Sequence, residues 1–115
     1  FPTRCSSDLG AADARFHLAI AEASHNAVLL HTIRGLFELL KHNVVTNIGG
    51  MYLQRGETRD MLMRQHRALF EAIVERRAEE AREISHQHID YVQEVLAEGQ
   101  LEALRMERAQ RRQGI

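Results

Sequence analysis

Apolar residues recur along this chain at intervals of three and four, which places them on one face of an α-helix, and strand-type alternation does not appear. The strongest stripe includes Ile33, Leu36 and Leu40, and Gly49-Gly50 after it favours a helix end. The pattern predicts an all-α, antiparallel helical bundle in which short connections join neighbouring helices. The predicted helices are residues 11–24, 27–47, 57–76 and 78–98, followed by a charged tail helix at 100–112. Asn26 is the predicted N-cap of the second helix, and a turn is predicted at Arg76-Arg77.

Residues of the types that bind metals interrupt the apolar stripes of three helices. Asp13 and His17 are four residues apart and therefore share one face of the first helix. His66 lies in the stripe of the third helix, and His88 lies in the stripe of the fourth. Because a polar group in a core is costly without a partner, the simplest interpretation is a metal ion shared by all four residues.

This donor set, three imidazoles and one carboxylate, suits zinc, nickel, cobalt, manganese or iron, and the spacing does not select among them. An octahedral ion held by four protein ligands keeps positions for water or a small oxygen-donor ligand. A second interpretation stays open at this point. Each histidine is then a core residue hydrogen-bonded to a backbone carbonyl, in a helical interaction module with a structural role.

Helical phase places the other four histidines of the chain away from this candidate site. His86 is two residues from His88, about 200° around the helix, so only one of the two faces inward. The apolar stripe selects His88. His31 and His42 each lie two residues from a stripe position, and His25 lies at the junction after the first helix.

The composition narrows the function classes. A chain of 115 residues is enough for one small domain, and a net charge of −1 gives no electrostatic case for binding nucleic acid. The single Cys5 cannot form an internal disulfide, and neither a long apolar run nor a secretory signal occurs, so a cytoplasmic setting is expected.

A metal-dependent hydrolase is the enzyme alternative, and it would need a general acid or base near the ion. Glu22 lies nine residues from Asp13 and off its face, so an enzyme is not expected.

Residues 1–9 differ from the rest of the chain. They have no helical or strand period, and they contain the only proline and the only cysteine. They resemble the conceptual translation of a common short-read sequencing adapter. We therefore expect these residues to be non-native, with a disordered native linker as the alternative, and we leave them out of the predicted fold.

Residues 12–40, ADARFHLAIAEASHNAVLLHTIRGLFELL, resemble the effector-binding domain of GntR-type transcription regulators, which in the FadR subfamily is the FCD domain. The likeness is strongest to the lactate-, glycolate- and pyruvate-responsive members, and the loop NIGGMYLQR at residues 47–55 adds to it. The resemblance covers about residues 11–97. Its motifs in chain order are Asp13-x-x-Phe16-His17, Ala23-Ser24-His25-Asn26, Arg64-Gln65-His66 and His88-Ile89.

The resemblance implies a metal site and a function. In that family an aspartate and three histidines bind a metal inside an antiparallel helical bundle, with zinc, nickel or manganese as the expected ion here. A small carboxylate such as lactate, glycolate or pyruvate caps the metal and changes the geometry of a dimeric winged helix-turn-helix protein on DNA. The ligand set implied for this chain is Asp13, His17, His66 and His88.

The expected organisation is an N-terminally truncated regulator. The winged helix and the first helices of the ligand domain, with their effector-contacting arginine, have no counterpart in this sequence, so the chain alone is not expected to bind DNA. Residues 1–9 are then non-native, residues 10–98 form a partial FCD domain, and residues 99–115 form a charged tail helix. Asn26 and Arg34 are weaker candidates for effector contact.

Overall fold

Helix accounts for nearly all of the chain that the computed structural model describes, which comprises residues 2–39 and 56–114. No strand occurs in these two ranges, and the predicted all-α fold class is confirmed. None of the helices in them is both long and apolar enough to cross a membrane. The helices are α1 (Pro2–Ala23), α2 (Ala27–Leu39), α3 (Gly56–Val74) and α4 (Ala78–Gln113).

The chain divides into two compact units, Phe1–Arg59 and Asp60–Ile115. The first unit contains α1 and α2, which contact each other, together with the first turn of α3. The second unit contains the rest of α3 and the whole of α4. Each unit supplies two of the four predicted metal ligands.

A tight turn joins α1 to α2. His25 adopts a left-handed conformation (φ 55°) and donates its N–H to the backbone carbonyl three residues earlier. The Ser24 hydroxyl accepts the N–H of Asn26 at 3.1 Å and donates to the carbonyl of Ala21 at 2.6 Å, so a side chain completes the helix end. Asn26 then caps α2 as predicted, because its Oδ1 accepts the N–H of Leu29 at 3.1 Å.

The connection between α3 and α4 is a Schellman motif. Arg76 is left-handed (φ 60°) and donates its N–H to the carbonyl of Ile73 at 3.1 Å. The N–H of Arg77 donates to the carbonyl of Ala72 at 2.8 Å, which is the second bond of the motif. The predicted turn at Arg76-Arg77 is confirmed, and it folds α4 back along α3 as a helical hairpin.

The guanidinium of Arg77 links this turn to the start of α4. It pairs with Glu80 in the first turn of the helix and, at 2.7 Å, with Glu75 before the turn. The hydrogen bond to Glu80, reinforced by the charges of both carboxylates, raises the pKa of Arg77 above its ordinary value. The three side chains are largely exposed, so water screens the pairs and they contribute little to stability.

The first helix begins earlier than predicted. α1 starts at Pro2 rather than at residue 11, so residues 2–9 are helical although they carry no apolar period. Proline suits the first position of a helix because its missing N–H would have no intrahelical partner there. Once nucleated, a helix grows at little cost per residue. The helix start predicted at residue 11 is therefore wrong, whereas the non-native origin of residues 1–9 stays a prediction.

The predicted helix end at Gly99 is also wrong, because α4 continues unbroken to Gln113. No glycine in the described ranges has a positive φ, so Gly99 does not take the left-handed conformation that ends helices. A glycine inside a helix costs only about 1 kcal/mol. The strong helix formers after it, QLEALRMERAQRR, outweigh that cost.

Two predictions lie outside the described residues. They are the end of the second helix at residue 47 and the loop at 47–55.

Candidate metal centre

Helix α1 holds a carboxylate and an imidazole in contact, one helical turn apart. The Nε2 atom of His17 lies 3.2 Å from Oδ1 of Asp13. The Asp13 side chain is buried and that of His17 is about a quarter exposed. Ala21, one turn further along the same face, is buried as well. The pair therefore lies on the buried face of α1, where the apolar stripe predicted it.

A second pair lies within the hairpin of α3 and α4. The Nε2 atoms of His66 and His88 are 3.2 Å apart, and their rings meet edge to face with centroids separated by 4.6 Å. His88 is 3% exposed and is the buried residue of α4, whereas His66 is half-buried. Leu62 and Leu69 lie one turn to either side of His66 and are buried, so both histidines occupy core positions.

The separation within each pair fits two ligands of one metal ion. Donor atoms about 2.1 Å from an ion are about 3.0 Å apart in octahedral and about 3.4 Å apart in tetrahedral coordination. Both observed separations, 3.2 Å, fall between these values. Without a metal, the same separation corresponds to a hydrogen bond in which two atoms share one proton. The donor types, imidazole nitrogen and carboxylate oxygen, suit zinc, nickel and manganese.

The second ring nitrogen of His88 has a side-chain partner. Its Nδ1 lies 2.7 Å from Oε1 of Gln65, the residue before His66 on α3. Because an amide oxygen only accepts, a neutral His88 carries its proton on Nδ1 and has its lone pair on Nε2. In the sequence, Gln65 is distinguished only as part of the motif Arg64-Gln65-His66. Its contact depends on how α3 packs on α4, which helical periodicity does not reveal.

The remaining histidines lie where helical phase placed them, as far as the structure describes them. His86 is exposed while His88 is buried, which confirms the phase predicted for α4. His25 and His31 are exposed. His42 lies outside the described residues.

Residues 2–91 match the FCD domain family. The chain belongs to the FCD domain family. This match contains all four predicted ligands and ends within α4. The resemblance drawn from the histidine and aspartate motifs is therefore confirmed.

Curated relatives of this FCD domain are transcription regulators. The chain is 46% identical over 81 residues to the "Putative L-lactate dehydrogenase operon regulatory protein" of Escherichia coli K12, covering 70% of this chain and 31% of that protein. The protein of the same name from Shigella flexneri gives the same values. Identity to the Glc operon transcriptional activator of E. coli K12 is 32% over 90 residues, which are 78% of this chain and 35% of the activator. The matched part is thus about a third of each relative, and no solved structure matches the chain.

Proposed function

We propose that this FCD domain binds one divalent metal ion through Asp13, His17, His66 and His88. The observation that carries the proposal is the contact between the Nε2 atoms of His66 and His88. Two imidazole nitrogens at this distance either share one proton in an N–H···N hydrogen bond or both present their lone pairs to one metal ion, and the second arrangement is the one we propose. The carboxylate–imidazole pair on α1 supplies the remaining two donors.

The metal ion would supply an electrophilic centre with positions left for an anionic oxygen ligand. Four protein donors leave two positions in octahedral coordination, which is enough for a bidentate ligand. A 2-hydroxy or 2-keto acid offers such a pair of oxygens, one from its carboxylate and one from the neighbouring carbon. We therefore propose a small carboxylate of this class as the effector.

The names of the relatives narrow the effector further. One relative is named for an L-lactate dehydrogenase operon, and the motifs of this chain resemble those of lactate-, glycolate- and pyruvate-responsive regulators, so we propose L-lactate, glycolate or pyruvate. Arg34 is exposed and stays a candidate for contact with the carboxylate. Asn26 stays a weaker one, because its side-chain oxygen already caps α2.

The complete protein would be a homodimeric DNA-binding regulator in which this domain senses the effector. The support is that its relatives are named as an operon regulator and a transcriptional activator. DNA would be bound by a winged helix outside the present sequence. Ligand sensing, rather than metal-dependent hydrolysis, is the function that agrees with the names of these relatives.

Metal analysis of the purified chain tests the first part of the proposal. We expect one equivalent of zinc, nickel or manganese after loading and removal of unbound ion. Stoichiometric binding that is lost in a His66→Ala, His88→Ala double variant would support the site. Retention of the full equivalent in that variant would refute it.

Calorimetric titration with L-lactate, glycolate and pyruvate tests the effector. We expect at least one of the acids to bind the metal-loaded protein and none to bind after chelation. Propionate, which has the carboxylate but neither a 2-hydroxy nor a 2-keto oxygen, is the matched control and should bind more weakly. Equal binding with and without metal would contradict a metal-mediated effector site.

A further inference from the structure

We propose that Gln65 is a positioning residue for the metal ligand His88. Its amide oxygen accepts the Nδ1–H of His88 and thereby keeps the Nε2 lone pair of the buried ring available for a metal ion. The inference rests on the proposed metal site, and it adds a residue that does not itself bind the ion.

The contact between the two side chains is short and sheltered. The Oε1 of Gln65 lies 2.7 Å from Nδ1 of His88, whose ring is 3% exposed. Water therefore competes poorly for that nitrogen, and the amide decides where the proton of the neutral ring resides. A metal-binding histidine commonly donates its second ring N–H to an oxygen, which fixes the tautomer and the ring orientation.

The position of Gln65 in the sequence also suits this role. It precedes His66 on α3, so one stretch of helix supplies both a ligand and the residue that orients the other ligand across the hairpin. The Nε2 of His88 then faces the Nε2 of His66 at 3.2 Å. Loss of the amide oxygen would free the His88 ring to rotate or to carry its proton on Nε2, where a proton blocks metal binding.

Three variants separate this role from a packing effect. Gln65→Met keeps the length and removes the acceptor, whereas Gln65→Glu keeps an oxygen at the same reach. Gln87→Met is the matched control, because Gln87 adjoins His88 in sequence but is exposed. We expect Gln65→Met to weaken zinc or nickel binding by ~10–100-fold, as outer-shell changes typically do. Gln65→Glu and Gln87→Met should bind within about threefold of the parent, since neither removes the acceptor.

Nitrogen NMR of the imidazole rings gives a readout that needs no metal. In the metal-free parent chain at a pH where His88 is neutral, we expect the Nδ1–H tautomer. In Gln65→Met the population should move towards Nε2–H. An Nε2–H tautomer in the parent chain would overturn the inference directly, even if Gln65→Met failed to fold.

The outcomes distinguish this inference from the proposed function. If the parent chain binds no metal although His88 is in the Nδ1–H form, the proposed metal site is refuted. The proposed role of Gln65 is then refuted as well, because it depends on that site. If the parent chain binds metal and Gln65→Met binds it equally well, the site stands and only the role of Gln65 is overturned. Weakened binding in Gln65→Met but not in Gln65→Glu would establish that role.

Discussion

The imidazoles of His66 and His88 meet Nε2 to Nε2 across the hairpin of α3 and α4, 3.2 Å apart. Two like groups come this close in a core only if they share something, either a proton or a metal ion. The sequence pattern predicts a metal ion, and in our proposal the contact with Gln65 keeps the lone pair of the His88 ring available to that ion.

Replacing His66 with alanine should weaken metal binding by at least about tenfold, because it removes a direct ligand rather than an outer-shell contact. His86→Ala is the control, since His86 lies on the exposed side of α4. Competition titration against a chromogenic chelator measures both affinities. Equal losses in the two variants would mean that the metal does not bind at the buried face.

Metal binding should raise the stability of the folded chain. A ligand that binds only the native state at 100 times its dissociation constant adds about 2.7 kcal/mol to the free energy of unfolding. Thermal unfolding followed by circular dichroism, with saturating metal and with excess chelator, measures the difference. His66→Ala should show a much smaller difference under the same conditions, and an unchanged difference would place the stabilising ion elsewhere.

The Asn26 cap should contribute about 1 kcal/mol to the free energy of unfolding of the unit that contains α1 and α2. Asn26→Ala removes the oxygen that accepts the N–H of Leu29 and should destabilise by that amount. Asn26→Asp keeps an acceptor at the N-terminus of α2 and should cost little. Urea unfolding of the three proteins makes the comparison. Equal stability of the alanine variant and the parent would show that water replaces the cap without loss.

Arg76→Gly should stabilise the hairpin of α3 and α4. The left-handed conformation that Arg76 adopts destabilises a non-glycine residue by about 1 kcal/mol, whereas glycine adopts it without this strain. Arg82→Gly, in the first half of α4 and exposed, is the opposite control and should destabilise by about 1 kcal/mol. Denaturant midpoints of both variants against the parent are the measurement. Destabilisation in both would mean that the Arg76 side chain contributes more than its backbone strain costs.

The exposed apolar residues of α2 should make the chain prone to self-association. Val28 and Leu36 are 76% and 47% exposed, and clustered exposed apolar groups favour association. We expect oligomers by sedimentation velocity and fewer of them in a Val28→Lys, Leu36→Glu variant. A monomeric parent chain at high concentration would contradict this expectation.

The local features of this protein follow from interactions between residues that are close in the sequence. Helical periodicity depends only on residues three and four apart, so the apolar stripes predicted an all-α fold and assigned His88, rather than His86, to the buried face. The Asn26 cap and the turn at Arg76-Arg77 could also be predicted from the sequence, because the residues that form them are neighbours in the chain. The motifs around Asp13, His17, His66 and His88 were specific enough to indicate the FCD domain.

Other features depend on distant residues or on a balance of small energies, and these became visible in the folded chain. The contact of Gln65 with His88 joins residues 23 positions apart and exists because the hairpin packs in one register. Gly99 carries a signal for a helix end, but its cost of about 1 kcal/mol is smaller than the combined preference of its neighbours, and α4 continues past it. The helix through residues 2–9 likewise extends an element whose apolar pattern begins later. In both helices a local rule was overridden because folding minimises the free energy of the whole chain rather than of each segment.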